Sequence, residues 1–297
     1  NLNFFVLAAI VLLAFVLRLY NVSVIPPSLS WDEVSIGYNA YSILKTGHDE
    51  HGRYFPLDTF VAYGDYKPPL AIYVTVPFVA LFGLNELAVR LPSVIAGTLT
   101  VFALFFFVLE LFKSSRLSLI ASALLAISPW HVQLSRAGFE ANIALLFVVL
   151  GSYLILKAKD NPLFWYFCWV PYVSAMYIFN SSRYVVPILV ILFCFYVKKS
   201  FLRNVKSVIA GFVIAFVLLL PLIPHLISKE ARLRFSEVNI FSDPSIVRTA
   251  NERIEADGNT FWAKIIHNRR IGYARSYLLH FFDNLEPKFL FIRGDGN

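Results

Sequence analysis

The sequence predicts an all-α, polytopic membrane protein, and three observations carry that expectation. Of its 297 residues, 58% are hydrophobic and 15% charged, whereas a soluble domain uses about 25% charged residues to cover itself in water. Continuous apolar runs long enough to cross a bilayer recur from the first residues onward, and mean hydropathy is +0.65; a β-barrel would instead need short alternating segments. The formal charge of +7 sits in clusters between those runs, such as Lys198, Lys199, Arg203 and Lys206. That placement suits control of topology and argues against a nucleic-acid partner.

The elements follow in order. Leu2–Tyr20 reads as a retained transmembrane helix, because no basic region precedes it and Val22–Ser30 offers no small-residue cleavage site. Arg18 is expected to snorkel at its end. Further spans are expected at about 88–112, 117–133, 139–156, 163–180, 184–197 and 205–227. Leu70–Gly83 has 14 residues with Pro77 in its middle, short for a span, and it sets the parity of everything after it.

Charge decides the parity. If Leu70–Gly83 does not cross, the connections Lys113–Arg116, Lys157–Pro162 and Lys198–Lys206 share one side and hold eight Lys and Arg. The opposite connections, Ser135–Asn142 and Asn180–Arg183, carry one Arg each. The positive-inside rule then places Asn1 in the cytoplasm and makes Leu70–Gly83 a re-entrant or interfacial helix. About seven transmembrane helices result, in a multi-pass protein of the cell membrane. The expected domains are a membrane core over 1–227, with an outer loop over 21–87, and an outer-facing mixed segment over 228–297. That segment has 11 basic and 9 acidic residues and amphipathic stretches at Ile246–Ile254 and Phe261–Phe282. The ending at Arg293–Asn297, without a closing span, reads as truncation before further spans.

The first outer loop carries the strongest chemical signal. Ser30-Trp-Asp-Glu33 opens a helix expected to stop near Gly47. Ser30 and Glu33 have capping-box spacing, so one reading of Asp32 and Glu33 is stabilisation of a helix N-terminus. The other is a general base or cation ligand, helped by mutual repulsion that raises one pKa. In Tyr63-Gly-Asp65-Tyr66-Lys67-Pro-Pro69, Lys67 is either an interfacial anchor or a point charge for a phosphate at headgroup depth. Arg136 and Glu140 are four apart, either a helical ion pair or two groups facing the same outer cavity as Asp32 and Lys67. Arg183, on the third outer turn, is placed to join them.

Other candidates are weaker. His48 and His51 flank Asp49 and Glu50, but without HExxH or a cysteine partner a solvated loop is favoured over a metal site. His131 is expected at a helix end, and His225, His267 and His280 say little. Cys168 and Cys194 fall in apolar spans and read as packing residues. With neither a Walker loop nor GxGxxG, a nucleotide cofactor has no support.

Taken together, the acidic pair, GYNAYSILKTGHDEHG, KPPL, FGLNELAVRLPSVIAGTLTV and SRAGFEAN resemble bacterial members of the protein O-mannosyltransferase and aminoarabinose transferase group. These are GT-C fold glycosyltransferases of family 39, and the likeness covers about residues 1–230. The resemblance implies juxtamembrane helices after the first span and a sugar taken from a polyprenyl-phosphate carrier. The acceptor, a protein, lipid or glycan hydroxyl, lies on the outer face, and inversion is usual for this fold. It makes Asp32 the candidate catalytic carboxylate with Glu33 beside it, and matches Lys67 to a Lys-Pro position associated with the carrier phosphate. Arg136 and Arg183 are further phosphate-binding candidates, and Tyr63, Asp65 and Tyr66 candidate substrate-lining residues. Glu140 stands where relatives often carry Asp, as a second acidic site. No cofactor is certain, and a divalent metal stays open. Two rivals are a polyprenyl-lipid or small-solute transporter, disfavoured because the acids cluster in outer loops without repeated halves, and a non-catalytic scaffold or receptor.

Overall fold

The computed structural model describes residues 2–228 and 239–293. Asn1, 229–238 and 294–297, which belong to the expected N-terminus and outer segment, lie outside the described residues. The chain divides into two compact units, one up to Pro224 and one from His225.

Among the described residues the first unit consists of helices, one small hairpin and an isolated bridge between His48 and Tyr54. Helix α1 (Leu2–Leu19) leads to α2 (Trp31–Thr46), whose limits follow from its sequence. At its start the Ser30 side chain accepts the Glu33 N–H while the Glu33 carboxylate accepts the Ser30 N–H, forming a complete capping box. It stops at Gly47, which adopts φ 72° and donates its N–H to Ile43 O. Strands β1 (Phe60–Ala62) and β2 (Asp65–Lys67) then pair antiparallel, with Phe60 opposite Lys67 and Ala62 opposite Asp65. Tyr63 and Gly64 turn between them at φ 53° and 80°, the positive values a two-residue hairpin turn requires. This hairpin departs from the all-α expectation.

Helix α3 (Leu70–Phe82) contains Pro77 and has 13 residues. At 1.5 Å per residue it spans about 20 Å, short of the roughly 30 Å hydrocarbon core. Helix α4 (Glu86–Phe112) is the longest at 27 residues and packs against α1, α2, α3, α5, α6 and α7. Small side chains along it, among them Ala88, Ser93, Ala96, Gly97 and Ala103, are buried and let its neighbours approach.

The expected span 117–133 is two helices, α5 (Ser115–Ile127) and α6 (Pro129–Arg136), bent by 56°. Pro129 has no N–H to give Leu125 O, whose backbone donor is Ser128 N at 3.4 Å. Arg18 supplies the missing donors: Nη2 reaches Leu125 O at 3.2 Å and Nη1 reaches Ala126 O at 3.1 Å. Arg18 is therefore fully buried, contrary to the snorkelling expected of it. Its Nη2 also lies 2.6 Å from His131 Nδ1, and its Nε donates to Ser135 Oγ.

Helix α7 (Glu140–Lys157) matches expectation, but 163–180 divides into α8 (Phe164–Phe167) and α9 (Trp169–Ile178). Pro171, unable to donate to Phe167 O, accounts for the interruption. Helices α10 (Ser182–Tyr196), α11 (Lys198–Arg203) and α12 (Val205–Leu219) follow, the last continuing through a 3₁₀ turn into α13 (Ile223–Leu226). Buried Trp165, Trp169, Tyr172 and Ile155 centre the largest apolar core. Among the described residues, four helices are long and apolar enough to cross a membrane, Leu2–Leu19, Glu86–Phe112, Glu140–Lys157 and Val205–Leu226, or five with the bent pair. Leu70–Phe82 and Ser182–Tyr196 are shorter apolar helices.

The second unit contains α14 (Pro244–Ala256), α15 (Phe261–Ile266) and α16 (Arg269–Asp283). These fall on the two amphipathic stretches read from the sequence. Helix α14 packs against both α15 and α16.

Candidate functional site

Consecutive residues on a helix point about 100° apart, and this separates the two acids that the sequence groups together. Glu33 faces inward, its side chain 2% exposed. One oxygen caps α2, and the other accepts Arg90 Nε at 2.7 Å. Arg90 is fully buried and donates also to Val22 O, Pro26 O and Ser28 O, which fixes the chain entering α2. Glu33 is thus committed to the fold through both oxygens. Asp32 faces outward, its side chain 46% exposed. Each acid has a cation of its own, Lys67 for Asp32 and Arg90 for Glu33.

The cation of Asp32 is Lys67. The hairpin brings this residue, 4% exposed, to a point where its Nζ lies 2.5 Å from Asp32 Oδ1 and 3.7 Å from Glu140 Oε1. Burial works to lower the ammonium's pKa, but Glu140 and the bond to Asp32 outweigh it and hold the value above the ordinary 10.5. Lys67 is therefore a permanent cation at neutral pH. Glu140 opens α7, where an acid suits the helix dipole. Its Oε2 is buried and has no hydrogen-bond partner among the described residues. Three elements, α2, β2 and α7, thus join an exposed carboxylate, a buried ammonium and a half-buried carboxylate.

Arg136 and Glu140 do not form the helical pair that their spacing allows, because α6 ends at one and α7 begins at the other. Between them Gly138 turns at φ 61°, where a Cβ would lie 3.1 Å from Glu33 Oε1. Arg136 donates to Leu17 O and Ile25 O. Arg183 donates Nε to Met176 O at 3.4 Å, and its Nη2 is buried without a partner among the described residues. Nearby, Asn180 donates to Tyr66 O at 3.3 Å, which ties the start of α10 to the hairpin. Tyr63 is exposed beside Trp31, their rings 5.7 Å apart, and Asp65 Oδ1 accepts the Tyr66 N–H.

The histidine loop is engaged locally. Asp49 Oδ1 accepts the His51 and Arg53 N–H groups, and Glu50 Oε1 accepts Asn39 Nδ2. His48 Nδ1 lies 2.7 Å from Thr46 O. Among the described residues, no three His, Cys, Asp or Glu side chains are grouped to hold a metal ion.

A model of the dolichyl-phosphate-mannose-protein mannosyltransferase family matches residues 66–227. The chain belongs to that family. A Bacillus subtilis (strain 168) protein named "Putative mannosyltransferase YycA" is 30% identical over 100 residues, which is 33% of this chain and 14% of that relative. The family match begins at Tyr66 and takes in Lys67, Arg90, Arg136, Glu140 and Arg183. Asp32 and Glu33 precede it, and the link to Lys67 and Arg90 is what joins them to the family segment.

Sequence reasoning missed Arg90, Asn142 and Asn180. Asn142 donates to both oxygens of Ser93, fastening α7 to α4. A signal was present for Arg90, since an arginine inside an apolar helix calls for a partner. The asparagines carry no comparable signal.

Proposed function

We propose that this chain forms the donor-binding and catalytic core of a membrane glycosyltransferase. It moves a sugar from a polyprenyl-phosphate carrier to an acceptor hydroxyl on the outer face, with inversion. The observation that carries this reading is Lys67, a buried ammonium held between the exposed Asp32 and the half-buried Glu140. Family membership supports the donor class, since the family is described by a mannose carried on dolichyl phosphate.

In this mechanism the carrier phosphate offers Lys67 a new anion, and the bond to Asp32 is exchanged for one to phosphate. Asp32 is then available to take the proton from the acceptor hydroxyl. The acceptor oxygen bonds to the anomeric carbon as the bond from that carbon to the phosphate oxygen breaks, and the electron pair leaves with the phosphate. Lys67 stabilises the departing charge, a role worth roughly 10²–10³ in rate for one preorganised donor. Arg183, whose Nη2 has no partner among the described residues, is the second phosphate cation, and Arg136 fastens the end of α6 to Leu17 and Ile25. Glu140 keeps Lys67 oriented, and Tyr63, Asp65 and Tyr66 line the approach. No step requires a nucleotide.

The topology of this reading is seven spans with a cytoplasmic N-terminus. It counts α8–α9 and α10 as crossings and leaves α3 re-entrant, as the distribution of basic loops supports.

The test uses the chain in lipid nanodiscs with polyprenyl-phosphate-mannose, following mannose release or transfer and the anomeric configuration by NMR. Inversion is expected. Retention contradicts single displacement, and donor binding without turnover favours the transporter reading, for which the unpartnered Oε2 of Glu140 would be an ion ligand.

A further inference from the structure

Helix α16 has an apolar face that the described residues of its own unit leave uncovered. Its packed side is fixed by Gly272, where a Cβ would meet Ile246 of α14 at 2.9 Å, and by Tyr273, whose hydroxyl donates to Phe241 O. On the far side Ile271, Ala274, Leu278 and Phe282 follow at intervals of three and four residues, with Phe281 beside them, and all are exposed. Such spacing makes one continuous stripe. Arg270 and Arg275 lie on its two edges, and α15 adds exposed Phe261, Trp262, Ile265 and Ile266.

Charge says what covers this face. From Thr260 to Phe282 the chain carries Lys264, Arg269, Arg270 and Arg275 and no acid. Glu252, Glu255 and Asp257 sit instead on or beside α14. An apolar stripe bordered by arginines and flanked by aromatic rings is the chemistry of a helix lying in a headgroup layer, with arginines reaching anionic phosphates. The unit is also tethered there, because it begins where the membrane-length helix Val205–Leu226 ends.

We propose that α15 and α16 dock the second unit onto an anionic bilayer surface through the Ile271–Phe282 stripe. Docking holds the segment that follows the last long helix at the membrane surface, the plane in which a lipid-linked donor would arrive.

The test places a nitroxide by Leu278→Cys in the whole chain, with Cys168→Ala and Cys194→Ala removing the native thiols. Glu252→Cys on exposed α14 serves as control. In nanodiscs containing phosphatidylglycerol, the label at 278 should be several-fold more accessible to oxygen than to a water-soluble nickel chelate. Position 252 should show the reverse. Arg270→Glu with Arg275→Glu, or phosphatidylcholine alone, should return 278 to the water pattern. Three results overturn the proposal: water-like access at 278 in anionic discs, a label closed to both reagents because protein covers it, or lipid-like access whatever the lipid charge.

Discussion

The Lys67 ammonium meets the Asp32 carboxylate at 2.5 Å across 35 residues of sequence, one partner buried and the other open to solvent. Glu140 lies 3.7 Å from the same ammonium and keeps Lys67 paired when the half-exposed Asp32 is neutralised, so the outer carboxylate adds little to stability. The pair does place a mobile proton acceptor beside a fixed cation, as the proposed displacement needs.

Adjacent acids should therefore behave differently when neutralised. Asp32→Asn should lower transfer by about 10²-fold or more and leave the thermal midpoint in detergent nearly unchanged. Glu33→Gln strands Arg90 in the interior, at about 3–5 kcal/mol, and should lower that midpoint clearly. Fluorescence-monitored unfolding beside an activity assay separates the two. Full activity in Asp32→Asn would remove Asp32 from the mechanism.

The pH dependence has a definite sign. Lys67 has a folded pKa above its ordinary 10.5. The contribution of its charge is complete below that value and is lost only as pH rises through the raised one. Titrating donor binding from neutrality upward should give a flat profile until the lysine range. A step centred between neutrality and pH 9 would assign phosphate binding to some other group.

Arg18 offers a test of the broken helix. Arg18→Ala leaves the carbonyls of Leu125 and Ala126 without their side-chain donors, at about 1–3 kcal/mol for each buried group left unpaired. The thermal midpoint should fall, and Pro129→Ala in the same background should recover part of it by returning an N–H to Leu125 O. Unchanged stability in Arg18→Ala would mean these bonds are not needed.

Much of this arrangement was legible in the sequence, and the remainder was hidden for identifiable reasons. Ser30, Glu33 and Gly47 set the limits of α2 through bonds spanning three or four residues, so local pattern suffices. The separation of Glu33 from Asp32 depends on Arg90, 57 residues away, and no local spacing encodes it. Tyr63-Gly64 lacks the Asn-Gly or Asp-Gly signature of a tight hairpin, which hid the two short strands. Pro129 announced the break between α5 and α6, but the apolar run across it concealed the interruption. The identity of its buried partner, Arg18, required the fold.

Topology has its own check. Single cysteines by Asp65→Cys and Ser115→Cys, probed with a membrane-impermeant maleimide, should label from outside and from inside respectively. The reverse pattern would overturn the outer-face site.

The central claim is that Lys67 receives the phosphate of a polyprenyl carrier. Native mass spectrometry of the detergent-purified chain, wild type against Lys67→Ala, addresses it directly. The account predicts a polyprenyl-phosphate species bound to the wild type, co-purified or added, and lost from a folded Lys67→Ala. Equal retention by both, or a folded wild type that never binds such a lipid, would contradict it.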